Sequence, residues 1–256
     1  MRGVTGFRLI DALNGALAQV VPERIPAAGE GGNSLAIFSG LTAPDSHSVF
    51  YELVVGTWGA RLGADGNDGL SNPCATAANI PVEVAEADFP IIIRRYGFVC
   101  DSGGAGRFRG GLALERVWET VAPETQLQVR SDRQINAPYG LAGGCPGTTS
   151  MNLILESENG GATEMPPMFS AVLKRGTVFH HRMAGGGGWG DPLTRDVSAV
   201  AADVRDEKVS VRAASDQYGV VVTEDGTVDA AATSELRERR QRDAADRRPV
   251  PGAASR

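Results

Sequence analysis

The sequence predicts an α+β fold, with a β-rich centre, an N-terminal helix and a helical C-terminal region. Three patterns carry this. Residues 5–21 set Ile10, Leu13, Leu17 and Val20 at helical spacing. Between Phe89 and Met183 the period falls to two, with Leu127 and Val129 alternating with Gln126, Gln128 and Arg130. Beyond Asp191, helical spacing returns at Val197, Val200, Ala201 and Val204.

Taken in order, Thr5 is the expected N-cap of the first helix, and Pro22 lies beyond its end. From there to about residue 85 the chain reads as loop-rich, with short apolar runs at 35–38 and 50–55. Strands are expected at 89–99, 112–121, 126–130, 151–155 and 169–182, so the glycine block at 101–111 links two consecutive strands. Ser210 caps a later helix that Gly219 ends, and Val220–Val222 reads as a short strand. Asp225-Gly226 is a turn, and Asp229 caps the last helix. The expected organisation is one globular unit over 1–242 followed by a disordered tail over 243–256.

Composition narrows the function classes. A formal charge of −6 argues against a general nucleic-acid surface. No apolar run approaches the ~20 residues that cross a bilayer, and the first residues lack a secretory pattern, so a cytoplasmic protein without a membrane partner is expected. Cys74, Cys100 and Cys145 are widely spaced and read as buried thiols. His180 and His181 are adjacent, and neighbouring strand residues point to opposite faces, so no metal site is assigned.

Glycine supplies 33 of 256 residues, about twice its usual ~7% share, and concentrates in Asp101–Gly111 and Met183–Pro192. The candidate substrate or interface residues lie in or near these blocks: Asp101, Ser102, Gly103, Gly104, Arg107, Arg109, Gly186, Gly187, Trp189 and Asp191, joined by Arg130, Asp132 and Arg133. Two readings stand for the arginines: anion-stabilising donors, or structural ion pairs with Asp101, Asp132 and Asp191. Trp189 reads as a packing or interface aromatic. Gly185, Gly187 and Gly190 satisfy G-x-G-x-x-G, yet Pro192 interrupts the turn-to-helix junction that a nucleotide loop needs. Ser102 and Ser131 lack a nucleophile elbow and a supply of histidine bases, so catalytic residues stay unassigned.

The ordered motifs resemble the hydantoinase B/5-oxoprolinase B-type subunits, a family that includes the large subunits of acetone and acetophenone carboxylases. They are Asp11-Ala-Leu-Asn-Gly-Ala-Leu-Ala18, Pro22-Glu-Arg24, Gly59-Ala-Arg61 with Asp65-Gly66, and Pro81-Val-Glu83 with Glu86-Ala-Asp88. Asp101–Gly111, Arg130-Ser-Asp-Arg133, Gly140 with Gly143-Gly144, Leu173-Lys-Arg-Gly176, Gly185–Pro192 and Tyr218-Gly-Val-Val-Val222 follow. Family members are about twice as long, and the resemblance is to their C-terminal half; Val55-Gly56-Thr57 and Met183-Ala184 depart from the usual pattern.

The resemblance implies part of the B-type subunit of an ATP-dependent cyclic-amide hydrolase, inactive alone. It implies ATP on a hydantoinase A-type partner, a divalent metal ion in the N-terminal B-type half supplied by another chain, and a small-molecule substrate. In such enzymes ATP activates the amide oxygen as a leaving group before water attacks. An ATP-dependent ketone carboxylase subunit and a non-catalytic assembly chain are the alternatives.

Overall fold

A computed structural model describes residues 2–32, 34–43, 46–72, 75, 77–156 and 160–246. These form two compact units, Met1–Pro192 and Leu193–Arg256, a finer division than the single body expected over 1–242. The final helix runs to Asp246, so the expected tail begins helical and the rest of it lies outside the described residues, as does Cys74.

In the first unit, helix α1 (Arg2–Leu17) is followed by strands β1 (Ser34–Ala43) and β2 (Ser46–Val54), helix α2 (Val82–Asp88), and strands β3 (Ile91–Phe98), β4 (Leu114–Thr120) and β5 (Glu124–Arg130). Strands β6 (Met151–Leu155), β7 (Ala162–Glu164), β8 (Met168–Lys174) and β9 (Val178–Arg182) complete it. Two antiparallel sheets result, ordered β2-β1-β5-β8 and β3-β4-β9-β6-β7. Their inner faces share one core in which Phe38 meets Trp118, with ring centroids 5.7 Å apart, and Trp118 stacks on Phe179 at 5.3 Å.

The α+β class and the central strands follow the sequence reading, with two differences in detail. The apolar runs at 35–38 and 50–55 belong to a long hairpin, Ser34 pairing with Val54 and Phe38 with Phe50. The expected strand over 169–182 turns at Gly176, whose φ is 80°. Helix α1 starts at Arg2, so Thr5 lies inside it, and Phe7 is buried. Leu13 and Leu17 stay 56% and 39% exposed, because the helix is tied down by charge: Asp11 pairs with Arg133 and Arg8 with Asp132. Cys100 and Cys145 are exposed rather than buried; at Cys145 the main chain is bonded to Ala105 and Gly188, which leaves the side chain outward.

Polar groups cross between the sheets. Glu52 and Arg116 form a fully buried ion pair, Trp118 Nε1 donates to Glu52 Oε2 at 3.1 Å, and the Thr120 and Thr125 hydroxyls bond at 2.7 Å. Burial raises the Glu52 pKa and lowers that of Arg116, their mutual attraction opposing both shifts. In β6, Asn152 faces inward because its side chain is satisfied there: Nδ2 donates to Ser131 Oγ at 2.8 Å and Oδ1 meets His181 Nδ1 at 2.8 Å.

The second unit holds α3 (Val197–Arg205), α4 (Val211–Tyr218) and α5 (Ala230–Asp246). Asp196 caps α3 by accepting from Ser198 N at 2.7 Å, and Ser210 caps α4 by accepting from Ala213 N at 3.0 Å. Gly219 ends α4 in the left-handed region, and Asp229 accepts from Ala232 N at 2.9 Å at the start of α5. Val220–Val222 contributes a single bridge, Val222 to Val228.

Between the strands of the first unit runs an extended segment, 184–190, whose main chain is surrounded by other main chain. Gly185 N donates to Thr148 O, Gly186 N to Gly111 O, Gly187 N to Ala28 O, Gly188 N to Cys145 O, Trp189 N to Phe108 O and Gly190 N to Leu141 O. Gly185 and Gly188 thus face 141–148, Gly186 and Trp189 face 104–111, and Gly187 faces 28 and 60. From Gly185 to Trp189 the directions repeat every three residues, the period of a polyproline II-type helix, and Gly190, at a φ of 77°, breaks the repeat by turning to Leu141. Only glycine permits the approach: a Cβ on Gly186 meets the Trp58 carbonyl oxygen inside van der Waals contact, and one on Gly187 meets that of Tyr139.

This packing makes the glycines unequal. Gly186→Ala costs roughly 3 kcal/mol or more, read by urea unfolding, whereas Gly97→Ala, with nothing within 4 Å of the new Cβ, changes stability far less. His181 is buried neutral, its pKa lowered to about 4 from 6.5, chiefly by burial. An unfolded histidine binds more protons between those values. Folded stability is therefore full above about pH 6.5 and falls as pH drops toward about 4, by about 3 kcal/mol for this group. Unfolding of His181→Asn at the two ends of that window shows a correspondingly smaller acid loss.

Candidate functional site

The sequence-selected residues fall into two places. Asp101, Ser102, Gly103, Gly104, Arg107, Arg109, Gly186, Gly187, Trp189 and Asp191 belong to or border the glycine-lined packing just described. Arg130, Asp132 and Arg133 gather instead beside α1.

In the first place the polar groups are largely engaged within the chain. Ser102 Oγ donates to Val99 O at 2.5 Å and accepts from Ala113 N at 2.7 Å. Asp101 takes a φ of 62° at the turn after β3. Arg109 is buried; its Nη1 donates to Gly110 O at 2.6 Å and lies 3.6 Å from Asp68 Oδ1, which also accepts from Leu112 N. Arg107 sets its guanidinium 5.7 Å from the Phe108 ring centroid, and Phe108 packs 6.0 Å from Trp189. The Trp189 indole donates to Pro22 O at 3.3 Å, and Asp191 is exposed. The six amides of 185–190 all donate to carbonyls. The glycine block therefore offers no open amide cradle for a phosphate, whatever its G-x-G-x-x-G spacing.

The second place is built from three elements. Arg130 ends β5, opposite Leu35 of β1 and Met168 of β8. The next turn carries Asp132 and Arg133, the latter at a φ of 63°. Ser150 Oγ donates to Asp132 O, and Ser150 N donates to Arg133 O at 3.1 Å, which fix that turn. Arg133 pairs with Asp11 and Asp132 with Arg8, both partners on one side of α1 at helical spacing. The Gly29–Gly32 loop passes between these pairs. A Cβ on Gly31 would crowd Asp11 and Arg133, and one on Gly32 would crowd Asp132.

At the centre of that loop stands Glu30, which sequence reasoning passed over. It is 5% exposed, and its Oε1 has no hydrogen-bond partner among the described residues. Burial raises its pKa well above the usual carboxylate value, and the Asp132 charge adds to the rise. The Gly32 amide, Arg8 and Arg133 act in the opposite direction. Asp11 and Asp132 pair with Arg133 and Arg8, so the pull of these two arginines on Glu30 is outweighed by its burial and by the Asp132 charge. The available signal was a carboxylate flanked by glycines on both sides, in Gly29-Glu30-Gly31-Gly32.

Glu30 lines a narrow cleft between α1 and the loops at 26–31 and 57–59, open to solvent and with a cavity volume of about 40 Å³. Its walls mix apolar surface from Ile10, Ala27 and Trp58 with polar groups from Asn14, Thr57 and Tyr139. Burial and the nearby Asp11 charge raise the Tyr139 pKa, so that phenol is a neutral donor. Among the described residues, no three His, Cys, Asp or Glu side chains are grouped to hold a metal ion. No helix among them is long and apolar enough to cross a membrane.

Comparison with known proteins agrees with this architecture. The Hydantoinase B/oxoprolinase family profile matches residues 1–192. A putative D-/L-hydantoinase B-type subunit from Pseudomonas sp. is 30% identical over 91% of this chain and 39% of its own length. The crystal structure of ATP-dependent caprolactamase from Pseudomonas jessenii superposes with a TM-score of 0.75 at 28% identity, covering 87% of this chain and 40% of that one. A nucleotide-free acetone carboxylase structure shares the fold at a TM-score of 0.76 and 22% identity, over 92% of this chain and 36% of that one. The chain spans about two fifths of the length of the curated relatives it matches. On the family match over most of its length and the likeness to a hydantoinase B-type chain, this chain belongs to the hydantoinase B/oxoprolinase family.

Proposed function

We propose that this chain forms part of the B-type subunit of an ATP-dependent cyclic-amide hydrolase. One observation carries the reading: about nine tenths of the chain aligns with relatives named as the B-type chain of a hydantoinase and the beta chain of a caprolactamase, at 30% and 32% identity. The enzyme would be completed by an A-type chain that binds ATP and by the remainder of the B-type subunit. The amides of 185–190 are engaged and so form no phosphate cradle, and no group of three metal-ligating side chains stands among the described residues. In this reading, as the family resemblance implies, ATP lies on the A-type chain and the divalent metal on the remaining B-type segment, and no chemical step is derived from either.

What this chain contributes in that reading is shape and polarity. The glycine-packed segment holds the loops at 27–32, 57–60 and 139–148 in fixed relation, and these loops wall the Glu30 cleft. Arg107 and Arg130 are the proposed anion-facing side chains, while Arg109 and Arg133 hold Asp68 and Asp11.

Likeness to an acetone carboxylase alpha subunit from Xanthobacter autotrophicus, 28% identical over 63% of this chain, keeps a ketone carboxylase as the second reading. Co-expression with A-type and upstream B-type chains, followed by assay of ADP release, separates the two. ADP release coupled to opening of 5-oxoproline, hydantoin or a larger lactam is the expected result. Release that requires a ketone and bicarbonate would transfer the chain to the carboxylases, and a complex with neither activity would leave an assembly role.

A further inference from the structure

We propose that the open edge of β8 is a slot for one extended strand, supplied by the remainder of the B-type subunit. The slot follows from a mismatch between the two sheets. One has four strands and ends at β8, while the other has five and ends at β7. Phe169 of β8 packs edge-on against Phe179 of β9, with ring centroids 5.9 Å apart. Beside β8 lies a groove of about 300 Å³, lined by Ile154 of β6, Thr163 of β7, Met165, Ala171 and Leu173. Phe169 and Ala171 pack on the core yet stay partly exposed, and β7 is exposed throughout. The place that a fifth strand would take beside β8 is therefore walled largely by apolar side chains.

The backbone of β8 is set to receive such a strand. In an antiparallel ladder, alternate residues turn their N–H and C=O groups toward the partner strand and the others turn them away. Two bonds just beyond the β5–β8 pairing fix the phase: Ser131 N donates to Pro167 O at 2.8 Å, and Arg175 N donates to Pro123 O at 3.3 Å. Phe169, Ala171 and Leu173 share that phase and face β5. Met168, Ser170 and Val172 direct their amides and carbonyls outward, where no hydrogen bond reaches them from the described residues.

The other edges are less available. Asn79 caps the end of β2, its Oδ1 accepting from Val55 N at 2.8 Å and its Nδ2 donating to Val55 O at 3.1 Å. In β3, Ile93 N donates to Glu86 Oε1 at 2.7 Å, and β7 has only three residues. β8 has seven, pairs with β5 without a bulge, and carries one charge, Lys174 at its end. An apolar edge of this kind is a template for strand addition.

A strand in the slot presents every second side chain to the groove, which suits aliphatic residues, and the others to solvent beside Ser170 and Val172. A second copy fits poorly. Pairing β8 with β8 of another molecule would bring that molecule's longer sheet, which also runs past its β8, into the place of this one's β7. A single strand meets no such conflict. The curated relatives give about two fifths of their length to the part that matches this chain, so the greater part of a B-type chain remains to supply the strand. That choice of source rests on the reading of this chain as part of a B-type subunit.

Hydrogen exchange of this chain, alone and co-expressed with the upstream B-type chain, reads the slot amide by amide. In the complex the Ser170 and Val172 amides slow at least about tenfold, whereas those of Ala171 and Leu173, already bonded to β5, are slow in both states. Val172→Pro removes one outward N–H and leaves the β5 ladder intact. It weakens assembly at least about tenfold, while Val172→Thr, which keeps the N–H, assembles like the parent chain.

Unchanged exchange at Ser170 and Val172, absence of a complex, or normal assembly of Val172→Pro would overturn the slot. Protection that grows with the concentration of the chain alone would overturn the occupant in favour of a second copy. Should Val172→Pro not fold, the alternating exchange pattern decides. A complex that protects these amides but releases no ADP counts against the hydrolase reading alone. ADP release coupled to lactam opening, without that protection, counts against the slot alone.

Discussion

Along residues 185–190 main chain packs directly on main chain, and the arrangement of the first unit depends on that contact. Six consecutive amides bond outward to segments near 28, 108, 111, 141, 145 and 148, so loops far apart in sequence are ordered by one another instead of by a strand of either sheet. Satisfaction of polar groups matters more here than attraction. Each buried amide left without a carbonyl would cost about 1–3 kcal/mol, and each Cβ placed at the closest approaches would force a neighbouring carbonyl away. Ordering glycine carries an entropic penalty that the bonding offsets.

Charge performs the second ordering task. Helix α1 leaves much of its apolar stripe exposed and is attached through Phe7 and two ion pairs, Arg8 to Asp132 and Asp11 to Arg133. Those pairs also fix the electrostatics around Glu30, because they use the local cations. Deeper in the core, Glu52 with Arg116 and Thr120 with Thr125 join the two sheets through polar contacts. Breaking such a buried pair is costly because the abandoned partner stays desolvated. Glu30 differs in that its buried Oε1 has no hydrogen-bond partner among the described residues.

The central strands were legible because alternation survives burial on one face, as in Leu127 and Val129 against Gln126 and Gln128. The caps at Ser210 and Gly219 were equally legible, since capping depends on local geometry. The β1–β2 hairpin was not, because its pairing spans Ser34 to Val54 and its runs also carry polar residues such as Ser39 and Glu52. For α1 the stripe Ile10, Leu13, Leu17 suggested a buried face, while the structure uses the charged side, whose partners lie more than a hundred residues away at Asp132 and Arg133. The glycine blocks announced close contact without saying with what, and their bonds show that the contact is with each other and with the loops near 28 and 141–148. Glu30 escaped notice because a single carboxylate has no spacing to read; its meaning comes from burial and from neighbours that already balance.

Hydrogen exchange at the amides of Gly185–Gly190 tests this account most directly, since it rests on their being bonded and enclosed in the native unit. The account predicts that they exchange among the slowest in Met1–Pro192, alongside the inner strands β4 and β5. Exchange at the rate of an exposed loop would mean that the glycine segment is an open surface, and would contradict it.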